Sequence, residues 1–286
     1  MGAGGWAATS AAIVAARRSL AERISGEAKE RLDALGDRAV TVDLYSAGGA
    51  DVYHAITKGD TSEVRELLAL LREADGPVLE LAAGTGRLTL PLLATGREVT
   101  AVDLSDPMLA ILRRELAELP EERSSRCKVV RFDMVHFRIR RRGGFGAAIL
   151  GGSSVSLLDA DGRRKTFRRV HDHLAPGGLF MVSTAEEGRG DEAGAAQGEE
   201  TVAHAEDGST VYEYWPEGGA ERVVTVFPPT PPEGPVPVYT TTIGVLPTAT
   251  LSQELTEAGF AVRGVHPVRG ADPRHPMSIV AAVKPE

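Results

Sequence analysis

Between residues 77 and 184, short apolar runs alternate with amphipathic segments, and this alternation restricts the chain more than any other feature. Residues 78–82, 98–104, 127–132, 146–151 and 179–184 read as strands. Residues 87–95, 107–119 and 162–174 read as the helices between them, the last ending at Ala175-Pro176-Gly177-Gly178. Strands that alternate with helices at this spacing join as βαβ units, which predicts an α/β fold with a mostly parallel sheet. Apolar and charged fractions of 42% and 25% suit a soluble globular protein and exclude disorder as its main state.

The flanks read differently. Residues 9–36 carry Ile13, Leu20, Ile24, Ala28, Leu32 and Leu35 at roughly helical spacing. Residues 61–74 form a second expected helix, with Thr61 as its cap and Val64, Leu67, Leu68 and Leu71 on one face. Residues 186–198, rich in Gly, Glu and Ala, read as a surface loop. Residues 201–205, 210–215, 222–227 and 236–243 alternate as half-buried antiparallel strands do, with a Pro-rich connection at 228–237. A helix at 248–258 and strands at 261–267 and 277–283 close the chain. The expected domains are an N-terminal helical segment (1–40), a ligand-binding core (41–185), a loop with an antiparallel cap (186–245), and a final helix and strand pair completing the core (246–286).

Several function classes are disfavoured. A net charge of −8 argues against binding nucleic acid through overall charge. The single cysteine, Cys127, excludes an intramolecular disulfide framework and a Cys-rich zinc site, and no compact metal-ligand cluster stands out. Cys127 itself reads as a small buried hydrophobe. No apolar run approaches the ~18 residues of a membrane span, and no signal-peptide pattern is present, so the expected compartment is the cytoplasm.

The chemistry concentrates in Val78-Leu-Glu-Leu-Ala-Ala-Gly-Thr-Gly-Arg-Leu-Thr-Leu90. Apolar residues lead into a Gly84-x-Gly86 turn and then a helix, so the backbone turns sharply and helix-start N–H groups face a ligand. A dinucleotide enzyme prefers a third small residue at position 89, where this chain has Thr89. Glu80 at the first strand end repels pyrophosphate and attracts a cation. A small ligand with an ammonium group is therefore favoured over NAD. Asp103 closes the second strand near the roughly 20-residue spacing of a carboxylate that holds a ribose diol. Asp133 at the third strand end can accept from an adenine amine, and Gly151-Gly152-Ser153-Ser154 leave room for a second reactant. All fall at carboxyl ends of strands, where open α/β sheets bind ligands.

Glu80-x-Ala82-x-Gly84-x-Gly86, Asp103, Asp133 and Leu174-x-Pro176-Gly177-Gly178 together resemble the class I S-adenosylmethionine-dependent methyltransferases, over roughly residues 41–286. The resemblance implies a Rossmann-like, seven-stranded, mostly parallel sheet with helices on both faces, plus an antiparallel β insertion. It implies S-adenosylmethionine as cofactor and S-adenosylhomocysteine as product. Ala82 departs from the glycine more usual there. More narrowly, Pro77 to Leu90 and Arg97-Glu-Val-Thr-Ala-Val-Asp-Leu-Ser105 are similar to N-methyltransferases of glycopeptide antibiotics. Asp43-Leu-Tyr45 and Gly151-Gly-Ser-Ser-Val-Ser-Leu-Leu-Asp159 resemble methyltransferases of daptide-type ribosomal peptides, which dimethylate a terminal amine. The resemblance implies that Glu80, Ala82 and Gly84 surround the methionine moiety while Gly86 shapes the loop. Asp103 would hold the ribose with Leu104 against the adenine, Asp133 and Met134 would read the adenine edge, and Gly151 would lie beside the sulfonium. Met108 belongs to the same cofactor-binding set, and Tyr45 and Tyr53 would close the pocket.

Methyl transfer needs an uncharged amine in line behind the methyl group, and an α-amine with a pKa of about 8 is partly neutral without a strong base. Tyr45, Tyr53 and His54 are the candidate catalytic residues; His136 and His266 are further proton acceptors. Plainer readings stand beside these: Glu80 as a solvated strand end, Asp103 as a helix cap, Asp133 as a turn residue, the tyrosines as packing aromatics and the histidines as surface residues. The basic residues of 138–142, with Arg163, Arg164, Lys165, Arg168 and Arg169, read either as solvated faces or as a dock for an acidic peptide leader. The expected function is N-methylation of a terminal amine of a ribosomal peptide natural product. The alternatives are a glycopeptide or small-molecule N- or O-methyltransferase, and a silent cofactor-binding module.

Overall fold

The computed structural model describes residues 19–141, 144–185, 198–216, 221–229, 233–269 and 276–286. Residues 9–18 of the expected first helix, the loop at 186–197 and residues 230–232 of the Pro-rich connection lie outside the described residues. The chain divides into two compact units, residues 57–196 with 244–286, and residues 1–56 with 197–243. Residues 41–56 thus group with the β-rich unit.

The larger unit contains β2 (Val78–Leu81), β3 (Val99–Asp103), β4 (Cys127–Arg131), β5 (Phe145–Leu150), β6 (Leu174–Ala185), β11 (Ala261–Pro267) and β12 (Met277–Val283). They form one sheet in the order β11-β12-β6-β5-β2-β3-β4. Neighbours from β6 to β4 run parallel, and β12 lies antiparallel to both β6 and β11. Its helices are α3 (Val64–Leu71), α4 (Thr89–Ala94), α5 (Asp106–Ala117), α6 (Glu121–Ser124), α7 (Ala160–His173) and α8 (Thr248–Glu257).

The sheet is buried on both faces, which explains the continuous apolar runs of its strands. Val78, Ala147, Ile149, Met181 and Ile279 pack with Leu67 and Leu71 of α3, Leu92 of α4 and Leu109 of α5. Leu79, Ala148, Leu150, Phe180 and Val280 point the other way, onto Phe167 and Val170 of α7 and Leu251 and Leu255 of α8. Chain order reverses at β2, whose neighbours are β3 and β5, and a crevice at such a switch point is where open α/β sheets bind ligands.

Several helix starts differ from the sequence reading, two of them by beginning late. The helix expected from 61 begins at Val64, and its N-cap is Glu63, in the left-handed region at φ 59°, not Thr61. Asp60 Oδ1 accepts from the Ser62 N–H at 2.8 Å and holds the preceding residues in a turn. α4 starts at Thr89, two residues late, because Gly86 at φ 98° is still turning the chain.

The smaller unit pairs β1 (Ala39–Asp43), β10 (Val236–Gly244), β9 (Glu221–Phe227), β8 (Thr210–Trp215) and β7 (Glu199–His204) in that spatial order. β7, β8 and β9 are antiparallel neighbours, as expected, but β1 joins beside β10 in parallel. The expected helix over 9–36 is interrupted: among the described residues a new helix, α1 (Gly26–Leu35), starts at Gly26 with φ 64°. The Glu200 carboxylate accepts from the Glu27 and Ala28 N–H groups there, satisfying two donors of the helix start. Ala28 and Leu32 pack on Tyr212, Phe227 and Val238 of the sheet. α2 (Ala50–Thr57) follows β1.

Candidate functional site

The sheet places the carboxyl ends of β5, β2, β3 and β4 side by side, and most expected site residues stand there. At the end of β2, Glu80 is 2% exposed and accepts a hydrogen bond from Thr89 Oγ1 at 2.7 Å. Burial pushes its carboxyl up to about 8, with the negative Asp103 and Glu63 adding to the rise and the Thr89 bond and Arg87 opposing it. Glu80 is therefore not a solvated strand end. A carboxyl held protonated by burial is one that an incoming cation can ionise. Thr89, judged in the sequence only against a dinucleotide pattern, is its partner.

The turn after β2 holds three residues at positive φ: Ala82 at 52°, Gly84 at 54° and Gly86 at 98°. Ala82 takes a conformation that favours glycine, the residue more usual there. Gly86 is favoured by its positive φ, and a Cβ there would lie 2.6 Å from Leu112 Cδ1 of α5, which would have to shift. Asp103 ends β3 and reaches back to the turn: its Oδ2 accepts from the Gly84 N–H and its Oδ1 from the Ser105 N–H, both at 2.8 Å. Burial raises its pKa while these bonds lower it. Ser105, not Asp103, occupies the N-cap position of α5.

Leu104 beside Asp103 is 59% exposed, and Phe132 at the tip of β4 is 40% exposed. Two large exposed apolar side chains on adjoining strand ends offer a surface for a flat aromatic ligand. Phe132 was missed in the sequence because it reads as the last residue of an apolar strand. Asp133 builds its own turn, accepting from the Val135 N–H at 2.8 Å and facing His136 Nδ1 at 2.9 Å. Its oxygens keep further lone pairs for a second donor. Met134 packs against the core beneath, and Met108 of α5 is buried.

Gly151 follows β5, where a Cβ would lie 2.2 Å from Leu88 Cδ1. Behind it the structure adds two residues that sequence reasoning missed. Glu63, fully buried, accepts from Arg87 Nη2 and from the Gly152 N–H. Spacing could not reveal this, because the partners lie 24 and 89 positions from Glu63.

Tyr45, Tyr53 and His54 belong to the smaller unit, not to this row of strand ends. The rings of Tyr45 and Tyr53 meet edge-on with centroids 5.6 Å apart. Burial, then Tyr53, push the Tyr45 phenol well above its ordinary value while Arg222 opposes them. Tyr45 thus stays protonated near neutral pH and can donate a hydrogen bond, but is a poor base. His266 lies on β11, and Cys127 packs half-buried against the core, its thiol pushed up to about 12 by burial.

Much of the basic cluster is engaged within the unit. Arg163 makes a two-pronged pair with Glu254, Arg164 and Lys165 face Asp161, and Arg141 meets Glu98. Among the described residues no group of three or more His, Cys, Asp or Glu could hold a metal, and no helix is long and apolar enough to cross a membrane.

Residues 78–178 match a family model described as a methyltransferase domain. The crystal structure of the glycopeptide N-methyltransferase MtfA with S-adenosylmethionine is similar to this chain at 31% identity and a TM-score of 0.63, covering 92% of this chain and 98% of that one. An uncharacterized methyltransferase of Staphylococcus carnosus is 44% identical over 70 residues, which are 22% of this chain and 34% of that protein. Glycine N-methyltransferase of Rattus norvegicus is 31% identical over 161 residues, 49% of this chain and 53% of the rat enzyme. The chain thus spans about half the length, or less, of these curated relatives.

Proposed function

This chain belongs to the class I S-adenosylmethionine-dependent methyltransferases, and we propose that it transfers methyl groups to a terminal amine of a peptide natural product. The observation that carries the reading is the pair of carboxylates at adjoining strand ends. Glu80 is buried and protonated until a cation approaches, and Asp103 is locked to the Gly84 amide with lone pairs to spare. Their places on the neighbouring strands β2 and β3 suit a ligand with a cationic amino-acid end and a ribose. Exposed Leu104 and Phe132 suit its adenine. The residues present therefore fit S-adenosylmethionine.

When bound, that cofactor supplies an electrophilic methyl group on a sulfonium whose departing thioether is neutral. The protein has no leaving group to activate. Glu80 would face the methionine ammonium, Asp103 would accept from the ribose hydroxyls, and the glycine backbone at 151–152 would leave space for the acceptor. Aligning two reactants accounts for a large part of such catalysis. The acceptor amine, with a pKa of about 8, is partly neutral at neutral pH, so no strong base is required. No step of this scheme is assigned to Tyr45, Tyr53 or His54 of the smaller unit.

The similarity to MtfA supports an amine on a peptide scaffold. The narrower expectation is double methylation of a terminal amine on a ribosomal peptide. Incubation with methyl-labelled S-adenosylmethionine and a short linear peptide bearing a free terminal amine tests both. Label on that amine is expected, with a mass gain of two methyl increments if the narrower reading holds. Label on a hydroxyl or carbon, or cofactor binding with no transfer to any amine offered, would overturn the proposal.

A further inference from the structure

Glu63 has no place in the scheme above, yet it is tightly constrained. It is fully buried, and its backbone sits at φ 59°, a conformation that side chains other than glycine seldom adopt. Such outliers persist where surrounding structure over-determines them, and they cluster at functional sites. Its Oε1 accepts from the Gly152 N–H at 2.8 Å and pairs with Arg87 Nη2. Arg87, whose side chain is 11% exposed, also donates to the Ser62 carbonyl at 3.1 Å and lies 3.5 Å from Asp60 Oδ2.

One carboxylate oxygen therefore ties the residue just after Gly86 to the residue just after Gly151. Glycine at both positions keeps the arrangement tight. A Cβ on Gly151 would stand 3.3 Å from Glu63 Oε1, and one on Gly152 would stand 3.2 Å from Arg87 Nη2. Oε2 is buried with no hydrogen-bond partner among the described residues, so Oε1 alone fixes the group.

We infer that Glu63 is a positioning residue for the amino-acid end of the cofactor: with Arg87 it sets how far the Gly-rich turn after β2 stands from the tip of β5. This rests on the cofactor reading above. The ribose end is assigned to Asp103 on β3, across β2 from the tip of β5, and the hydrogen bonds of Glu63 do not include it. The two ends should therefore respond differently when the tie is cut.

Titration calorimetry with two probes tests this. S-adenosylhomocysteine carries the nucleoside and the amino-acid end, whereas 5′-methylthioadenosine carries the nucleoside alone. Glu63→Ala is expected to weaken S-adenosylhomocysteine by about tenfold or more, roughly 1.4 kcal/mol, with 5′-methylthioadenosine within about twofold of wild type. Glu63→Gln keeps an oxygen for the Gly152 N–H but loses the charge facing Arg87. Its preference for the longer ligand should fall by about threefold. A purely structural role would weaken both probes alike, and an unchanged ratio in Glu63→Gln overturns the inference even if Glu63→Ala does not fold. Failure of the wild-type protein to bind S-adenosylhomocysteine overturns the cofactor reading instead, and this inference with it.

Discussion

Single residues here are read by what burial does to their charge. Glu80 keeps its proton in the folded chain up to about pH 8, while the unfolded chain loses it near the ordinary value of 4.5. Between those values the folded state binds the extra proton, so the contribution of Glu80 to stability declines as pH rises. A cationic ligand reverses the preference and releases the proton. S-adenosylhomocysteine affinity should accordingly climb with pH, by up to one proton per ligand, and level off above about pH 8. The slope should vanish in Glu80→Gln, and a flat wild-type profile by calorimetry would remove Glu80 from the site. Asp103→Ala should weaken the same ligand by about 1–3 kcal/mol through lost hydrogen bonds to a charged group. Unchanged affinity would count against Asp103 as the ribose-holding residue.

Elements place these residues, and their ends are where the energetics can be checked. Ala82 lies at φ 52° in the turn after β2. A left-handed conformation costs an L-residue roughly 1–2 kcal/mol, and glycine returns about 0.4–1 kcal/mol of that as unfolded-chain entropy. Ala82→Gly should therefore stabilise the protein by about 0.5 kcal/mol, a small rise in melting temperature. A fall would mean that the Ala82 methyl packs usefully. Between α7 and α8, Arg163 donates to Glu254 at 2.6 and 2.7 Å and to the Leu158 carbonyl at 2.7 Å. Its side chain is 13% exposed, so Arg163→Ala leaves a half-buried carboxylate without its partner. The urea midpoint should drop by the equivalent of about 2 kcal/mol at constant m. Sequence spacing had grouped Arg163 with a basic surface, but the fold turns it onto a neighbouring helix.

At the scale of the whole molecule, a ligand that binds only the native chain must raise its stability. S-adenosylhomocysteine at 100 times its dissociation constant contributes about 2.7 kcal/mol. For a chain of this size that raises the melting temperature by roughly 4–5 °C. NAD at the same concentration should give no shift; the reverse pattern would return the chain to the dinucleotide-binding class. Local pattern was enough to mark β2 through β6 as strands, because residues buried on alternate faces of one sheet leave unbroken apolar runs. It was also enough to mark the Gly84-x-Gly86 turn and the acids at Glu80 and Asp103, because backbone conformation and strand ends restrict residue type locally. Pairing between distant segments leaves no such trace. That β1 lies beside β10, that Asp103 holds the Gly84 amide, and that Glu63 binds both Arg87 and Gly152 were decided by tertiary structure alone. A hydrogen bond between residues far apart in the chain constrains their positions in space and imposes no periodicity on the residues around them.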